Sequence, residues 1–209
     1  MKEQKDRARQ SWKGTGDQED QQKWFLITES LNPTEFLGYD QTETESEIVS
    51  IIKQDSQVKI LSKDDQGIII LNQTAFYGES GGQVGDSGKI IYENNIFEVN
   101  NTTKLFGSFF LHHGKVISGQ FTKNKSVTGI IDINKRELIK CNHSSTHLLH
   151  SSLRKILGNH VSQKGSLVNS EKLRFDFSHN EPISSDNIIK IENYIKNEIN
   201  SNSQVNIKI

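Results

Sequence analysis

Three histidines are spaced so that one face of a helix would carry all of them. His143, His147 and His150 lie within residues 137–157, whose apolar pattern predicts a helix that ends at Gly158. At about 100° per residue, His147 and His150 fall within about 40° of His143. Histidines at positions i and i+4 can bind one divalent ion, because their side chains project side by side one turn apart. The pair alone is more typical of a surface histidine cluster, so both interpretations stay open at this point.

The opposite face of this predicted helix is mostly apolar, and we expect it to pack against the rest of the protein. It carries Leu138, Cys141, Ser145, Leu148, Leu149, Ser152, Leu153 and Ile156. Cys141 points about 160° away from His143. We therefore interpret it as a small core residue and not as a third metal ligand. His150 lies one turn beyond the pair, which favours a role as a neighbour or a phosphate contact.

A second segment of chemical interest is rich in glycine, with five glycines in residues 77–88. Gly81 and Gly82 permit tight turns with positive φ, and they also let a ligand approach the backbone beside the amide of Gln83. From the residues alone, the structural interpretation is the stronger one. The sequence contains neither the Gly-x-x-x-x-Gly-Lys-Ser/Thr phosphate loop nor the Gly-x-Ser-x-Gly nucleophile elbow.

The elements that would position these residues change character along the chain. Short β-type runs predict a small barrel or sandwich, and they occur at residues 48–52, 57–61, 68–71, 89–92, 96–99 and 127–131. After the first helix, residues 173–178 alternate strictly and predict a half-buried strand. Ser184 is expected to cap a second helix, whose apolar stripe consists of Ile188, Ile191, Ile195 and Ile199.

These patterns predict an α+β fold, with a small β-barrel domain followed by an α+β domain that contains the His-x-x-x-His helix. We assign residues 1–33 to the end of a linker or helical segment from an upstream domain. Residues 34–134 form the barrel domain with its Gly-Gly-Gln loop, and residues 135–209 form the α+β domain.

Composition limits the classes of function. The chain has 209 residues, with 25 Lys and Arg against 26 Asp and Glu. Any binding of nucleic acid must therefore depend on local basic residues and not on a positive field of the whole protein. A single cysteine excludes an internal disulfide and indicates a reducing compartment. No apolar run reaches the roughly 20 residues of a membrane helix, so we expect a cytoplasmic protein without a membrane partner.

The order of these segments resembles the editing region of the alanyl-tRNA synthetase family. Residues 72–86, Asn-Gln-Thr-Ala-Phe-Tyr-Gly-Glu-Ser-Gly-Gly-Gln-Val-Gly-Asp, resemble the family's barrel motif, although Ala75 and Gly78 stand where Pro and Ala are usual. Residues 142–150 resemble its first zinc half-site, and residues 160–168 and 173–179 follow in the family's order. Residues 7–14 resemble the link that follows the tRNA-binding helical domain of the full synthetase.

The resemblance implies a function in translation, namely hydrolysis of tRNA(Ala) mischarged with serine or glycine, and it implies roles for individual residues. His143 and His147 would be zinc ligands, and Thr146 would flank the pocket and read the amino-acid side chain. Gln163 and Ser166 would contact the substrate or the attacking water. The remaining candidates would bind the substrate or tRNA, and they are Gly81, Gly82, Gln83, Arg154, Lys164 and Arg174. For each of the three basic residues, an ordinary solvated charge is an equally good interpretation.

The family completes its zinc site with a Cys and a His from a later Cys-Gly-Gly-Thr-His type segment, which does not occur in these 209 residues. We therefore expect two of four zinc ligands, weak zinc binding and poor deacylation by this chain alone. ATP and Mg²⁺ would serve only the full-length synthetase, and tRNA(Ala) is the expected partner, with no DNA. Two alternatives remain, a free-standing alanyl-tRNA editing protein and a non-catalytic fragment that binds tRNA or metal. The sequence does not indicate the oligomeric state.

Overall fold

The structure, a computed structural model, describes residues 18–203, which group into two compact units. One unit contains residues 18–80 and 85–132, and the other contains residues 81–84 and 133–203. The interpretation of residues 7–14 as an interdomain link lies outside the described residues. In this division, the short glycine-rich segment 81–84 groups with the second unit, although it lies between two barrel strands in sequence.

The elements follow one another in a mixed α+β order. They are α1 (Gln18–Thr28), β1 (Glu35–Phe36), β2 (Glu43–Lys53), β3 (Ser56–Gln57), β4 (Ile60–Ser62), β5 (Gln66–Leu71), β6 (Gln73–Thr74), β7 (Gly88–Tyr92), β8 (Asn95–Leu105), β9 (Phe109–Ser118), β10 (Gln120–Thr122), β11 (Ser126–Ile131), α2 (Ile133–Leu157), β12 (Gln163–Val168), β13 (Leu173–Phe177) and α3 (Ser185–Ser201). None of the described helices is long and apolar enough to cross a membrane.

The first unit is built on a closed barrel of six antiparallel strands. Its strand order is β2–β5–β9–β8–β7–β11, and pairing between β11 and β2 closes the sheet, with Gly129 opposite Thr44. Closure of the barrel pairs the backbone N–H and C=O groups that an open sheet would leave unpaired at its edges. The predicted α+β class with a small β-barrel is thus confirmed.

Alternating side chains fill the barrel interior. Along β2, every second side chain from Thr44 to Ser50 is buried, which is the pattern of a strand with one face against a core, and Ile51 and Ile52 are buried as well. The largest side chains inside are fully buried aromatic residues, Phe76, Phe97 and Phe121. Outside the barrel, Ile27 of α1 packs with Ile70 and Leu111.

The second unit combines α2, the β12–β13 hairpin and α3. Leu153 of α2, Val161 and Ile191 of α3 form its buried centre. Gly158 ends α2 with a φ of +118°, and the Ser184 hydroxyl accepts a hydrogen bond from the Asn187 N–H at the start of α3. The sequence predicted both helix boundaries from these residue types.

The packed face of α2 agrees with the prediction in the C-terminal half of the helix, where Leu149, Leu153 and Ile156 lie in the core, and departs from it in the N-terminal half. Cys141 is exposed, so its interpretation as a core residue is wrong, and Leu138 is 54% exposed. Ile139 and Thr146 are buried instead. Periodicity identifies the apolar face of a helix, but it cannot show over which turns the partner elements cover that face.

The apolar stripe predicted on α3 is also only partly packed. Ile191 is buried and Ile195 is partly buried in the core of the second unit. Ile188 and Ile199 are 45% and 56% exposed. Only the middle turns of α3 therefore contribute to this core.

Candidate functional site

The site is assembled in the second unit, and the glycine-rich loop 81–84 forms one of its walls. The Val84 N–H donates to the Val168 carbonyl oxygen at 3.0 Å, and the Val168 N–H donates to the Gly82 carbonyl oxygen at 2.8 Å. Gly82 has a φ of +85°, and a Cβ at this position would collide with the Ser166 carbonyl oxygen. Glycine is therefore required both for the backbone conformation and for the close approach to β12.

This loop places the Gln83 amide against the first histidine of the pair. The His143 Nδ1 lies 2.7 Å from the Gln83 Oε1, and the His143 Nε2 lies 3.0 Å from the His147 Nε2. Because a carbonyl oxygen only accepts, the Nδ1–H of His143 is the donor to Gln83. The His143 Nε2 then carries a lone pair and accepts from His147.

The electrostatics of the site favour a neutral imidazole at His143. Burial, followed by the neighbouring His147, lowers the pKa of His143 below its ordinary value of 6.5. His143 is half-buried, whereas His147 is exposed. A neutral imidazole at neutral pH is the form that can ligate a metal ion.

A β-bulge places two polar side chains of β12 on the same face. Gln163 pairs with Phe177 and Gly165 pairs with Asp176, so Lys164 is the extra residue. Strict alternation would put Gln163 and Ser166 on opposite faces, because they are three residues apart. The extra residue reverses this parity, and both side chains therefore line the same pocket.

Residues of loop 81–84, α2, β12 and β13 line a partly open cavity of about 80 Å³. Its lining consists of Gly81, His143, Thr146, His147, His150, Gln163, Ser166, Val168 and Phe175. Thr146 is 9% exposed, and its hydroxyl donates to the Asn142 carbonyl oxygen at 2.8 Å. The cavity accommodates a small polar group, whereas pockets for drug-sized ligands are several times larger.

Seven residues that the sequence singled out thus meet in one pocket, with His150 beside the pair, and the two further lining residues, Val168 and Phe175, were not predicted. The His150 Nε2 is buried without a hydrogen-bond partner among the described residues, and its ring centroid lies 5.1 Å from that of Phe175. In the sequence, the position of His150 on the same helix face as His143 and His147 indicated that it would lie beside them. Alternation along β13 was the corresponding signal for Phe175.

The basic candidates lie outside the pocket lining. Arg154 and Lys164 are exposed, on the last turn of α2 and on β12. Arg174 is exposed on β13, where its Nε lies 3.2 Å from the Asp176 Oδ2. Such positions are compatible with contacts to a polyanion that extends away from the cavity, and equally with ordinary solvated charges.

The donor set of the pocket fits part of a zinc site. Two Nε2 atoms 3.0 Å apart suit one small ion, because zinc binds imidazole nitrogen at about 2.0–2.1 Å in tetrahedral geometry. Within residues 18–203, no group of three or more His, Cys, Asp or Glu residues is arranged to hold a metal. The described residues therefore supply two zinc ligands at most at this point.

Comparisons with known proteins agree with one another. The family model for class II (A) tRNA synthetases matches residues 1–135, a range that ends before the histidine pair. Curated relatives are similar along the whole chain, and an alanine--tRNA ligase from Nitrobacter winogradskyi is 42% identical over 209 residues. Those from Rhodopseudomonas palustris and Bradyrhizobium diazoefficiens are 42% identical over 205 residues and 38% identical over 210 residues.

The chain is much shorter than these relatives. The matches cover 98–100% of this chain but only 23–24% of each relative. The chain therefore spans about a quarter of the length of the curated relatives that it matches.

Proposed function

We propose that this chain, which belongs to the class II tRNA synthetase family, is an editing hydrolase for mischarged tRNA(Ala). The substrate would be the ester that joins serine or glycine to the terminal adenosine of this tRNA. A site for alanine cannot strongly reject glycine or serine, because one methyl or hydroxyl group is worth only about 1–3 kcal/mol in such a pocket. A second, hydrolytic site restores the fidelity of translation.

The observation that carries this proposal is the convergence of an imidazole pair and two polar side chains on one small cavity. His143 and His147 lie on one side, and Gln163 and Ser166 lie on the other. In the proposed reaction, water oxygen bonds to the ester carbonyl carbon, the bond to the ribose oxygen breaks, and free amino acid and tRNA are released. A proton passes from the water to the departing ribose oxygen.

Each polar side chain has a proposed part in this reaction. The Gln163 amide and the Ser166 hydroxyl orient the ester or the water, since both project from the same face of β12. Thr146 lines the cavity and contacts the amino-acid side chain. Contacts that are stronger in the transition state than in the bound ester raise the rate of the chemical step.

The ligand chemistry of His143 and His147 supports zinc as the cofactor. When bound, zinc polarises a carbonyl group or lowers the pKa of a bound water. Gln83 contacts His143 and would help to hold its imidazole in place for the ion. ATP and Mg²⁺ belong to a full-length synthetase and have no part in this hydrolysis.

The proposed partner is tRNA(Ala), bound through local basic residues because the net charge of the chain is only −1. Arg154, Lys164 and Arg174 are exposed and are the proposed phosphate contacts. Each should contribute a salt-dependent part of the affinity, with little effect on the chemical step. The cytoplasm is the proposed location.

The test is hydrolysis of Ser-tRNA(Ala) under single-turnover conditions, with the chain in excess and zinc present. Because the chain supplies two zinc ligands, we expect a slow rate that is still above spontaneous deacylation and is lost in His143→Ala and His147→Ala. Ser151→Ala changes an exposed residue on the same helix and should retain the wild-type rate. A wild-type rate equal to the spontaneous rate, or an unchanged rate in both histidine variants, would overturn the proposal.

A further inference from the structure

The sequence assigned Gln83 to substrate or tRNA binding, but the structure gives its side chain a different contact. Its Oε1 lies 2.7 Å from the His143 Nδ1. This nitrogen is the one that does not face His147. The Gln83 carbonyl oxygen therefore contacts the Nδ1 of His143 and not the Nε2, which is the atom that would bind an ion.

We propose that Gln83 is a positioning residue that fixes the tautomer of His143, so that the Nε2 presents a lone pair toward His147, where a metal ion would bind. The proposal rests on the proposed function only in taking zinc as the ion. The hydrogen bond itself is a property of the chain without any metal. Histidines that bind metals commonly donate their other ring N–H to a carboxylate or carbonyl oxygen, which sets both the ring orientation and the basicity of the ligating nitrogen.

The amide can act in this way because its two ends have opposite hydrogen-bonding properties. With the oxygen toward His143, the proton stays on the Nδ1 and the Nε2 keeps its lone pair. With the NH₂ group toward His143, the Nδ1 would have to accept and the Nε2 would carry the proton. That second tautomer cannot ligate a metal through the Nε2.

The loop around Gln83 is held from both sides, which gives the amide a defined position. The Gly82 carbonyl oxygen and the Val84 N–H both pair with the backbone of Val168. Gly82 also lies directly against the Ser166 carbonyl oxygen. The residues flanking Gln83 are thus fixed to the strand that carries the polar side of the pocket, so one short segment orients the ligand and lines the cavity.

This assignment explains why glutamine follows the two glycines in this loop. A substrate contact would require the amide to face the cavity, and Gln83 is not among the residues that line it. Gly81 of the same loop does line the cavity. The loop therefore presents backbone to the cavity and its glutamine side chain to the metal ligand.

The test measures the tautomer directly by ¹⁵N NMR of the histidine rings in the 209-residue chain, at about pH 8, where imidazole is neutral. We expect the wild type to show His143 protonated at the Nδ1. Gln83→Leu removes the acceptor and should shift His143 toward the tautomer protonated at the Nε2. Gln83→Glu retains an acceptor and should preserve the wild-type tautomer. Gln41→Leu, a change at an exposed glutamine of the barrel unit, is the control and should leave the spectrum of His143 unchanged.

Titration with Co²⁺ supplies a second readout that is independent of hydrolysis. We expect Gln83→Leu to weaken Co²⁺ binding by about 10- to 100-fold, the usual effect of removing a residue that orients a metal ligand. Gln83→Glu should bind at least as tightly as the wild type, because a carboxylate makes the ligating nitrogen more basic.

The results separate this proposal from the proposed hydrolase function. An Nε2-protonated His143 in the wild type would overturn the positioning role, whether or not Gln83→Leu folds and whatever the deacylation rate. An unchanged tautomer and unchanged Co²⁺ affinity in a folded Gln83→Leu variant would do the same. If the tautomer depends on Gln83 while Ser-tRNA(Ala) is not hydrolysed, the positioning role stands and the hydrolase proposal fails.

Discussion

The buried histidine of the barrel, His112, should make the stability of this protein depend on pH. It is fully buried, and its ring lies edge-on to Phe76 with a centroid separation of 5.1 Å. Its Nδ1–H donates to the Ile69 carbonyl oxygen at 2.9 Å, and its Nε2 accepts from the Thr74 hydroxyl at 2.9 Å. The neutral ring is therefore satisfied at both nitrogens, whereas a second ring proton would have to replace the Thr74 donor.

The structure gives both the sign and the size of the effect. Burial lowers the pKa of His112 from 6.5 to about 4. Between these values the unfolded chain binds a proton that the folded chain does not, so the free energy of unfolding falls as the pH falls. The full contribution is present above about pH 6.5 and is lost by about pH 4. A pKa difference of about 2.5 corresponds to about 3 kcal/mol, of which about 2 kcal/mol should be lost between pH 7.5 and pH 5.

The assay is urea unfolding at a series of pH values, for the wild type and for His112→Gln. The variant should have a lower free energy of unfolding at pH 7.5, because the Ile69 and Thr74 contacts are disturbed. Its decrease between pH 7.5 and pH 5 should be smaller than that of the wild type by about 2 kcal/mol.

A control separates proton binding from general loss of stability. Ile90→Val removes one buried methyl group from the barrel core and should cost about 0.5–1.5 kcal/mol equally at every pH. If wild type and His112→Gln lost the same free energy between pH 7.5 and pH 5, the assignment of the pH dependence to His112 would be refuted.

Three further predictions concern the second unit. Gly82→Ala should destabilise the docking of the loop on Ser166 by at least about 1 kcal/mol, because of the positive φ alone. Faster backbone amide hydrogen exchange at Val84 and Val168 would detect this loss, and unchanged exchange would contradict the packing argument. Gln163→Ala should slow deacylation of Ser-tRNA(Ala) on the order of tenfold. Binding of tRNA, measured by filter retention, should stay unchanged. An unaltered deacylation rate would remove Gln163 from the site. Leu153→Ala should lower the unfolding free energy by about 2–5 kcal/mol, since this side chain is 2% exposed at the centre of the core. A loss below about 1 kcal/mol in urea unfolding would contradict this and would show that the surrounding residues fill the space left by the leucine.

The sequence by itself determined most of the secondary-structure elements and the spacing of the histidine pair. Alternation and turn residues located most barrel strands, although the sequence missed the long strand β9 (Phe109–Ser118). Gly158 and Ser184 marked helix boundaries because positive φ and side-chain capping are local requirements that depend on residue type. The spacing of His143 and His147 placed two imidazoles side by side because helix geometry alone sets their separation.

Only the tertiary structure decided which residues surround the pair. The contact between Gln83 and His143 joins residues 60 positions apart, and no local period encodes it. The bulge at Lys164 reversed the face of Gln163, since one extra residue in a strand exchanges the two sides of a sheet. The burial of Thr146 and the exposure of Cys141 likewise depended on where the hairpin and α3 pack against α2. A helical repeat shows that an apolar face will be covered, but the partner elements determine over which turns it is covered, because burial depends on both packed elements.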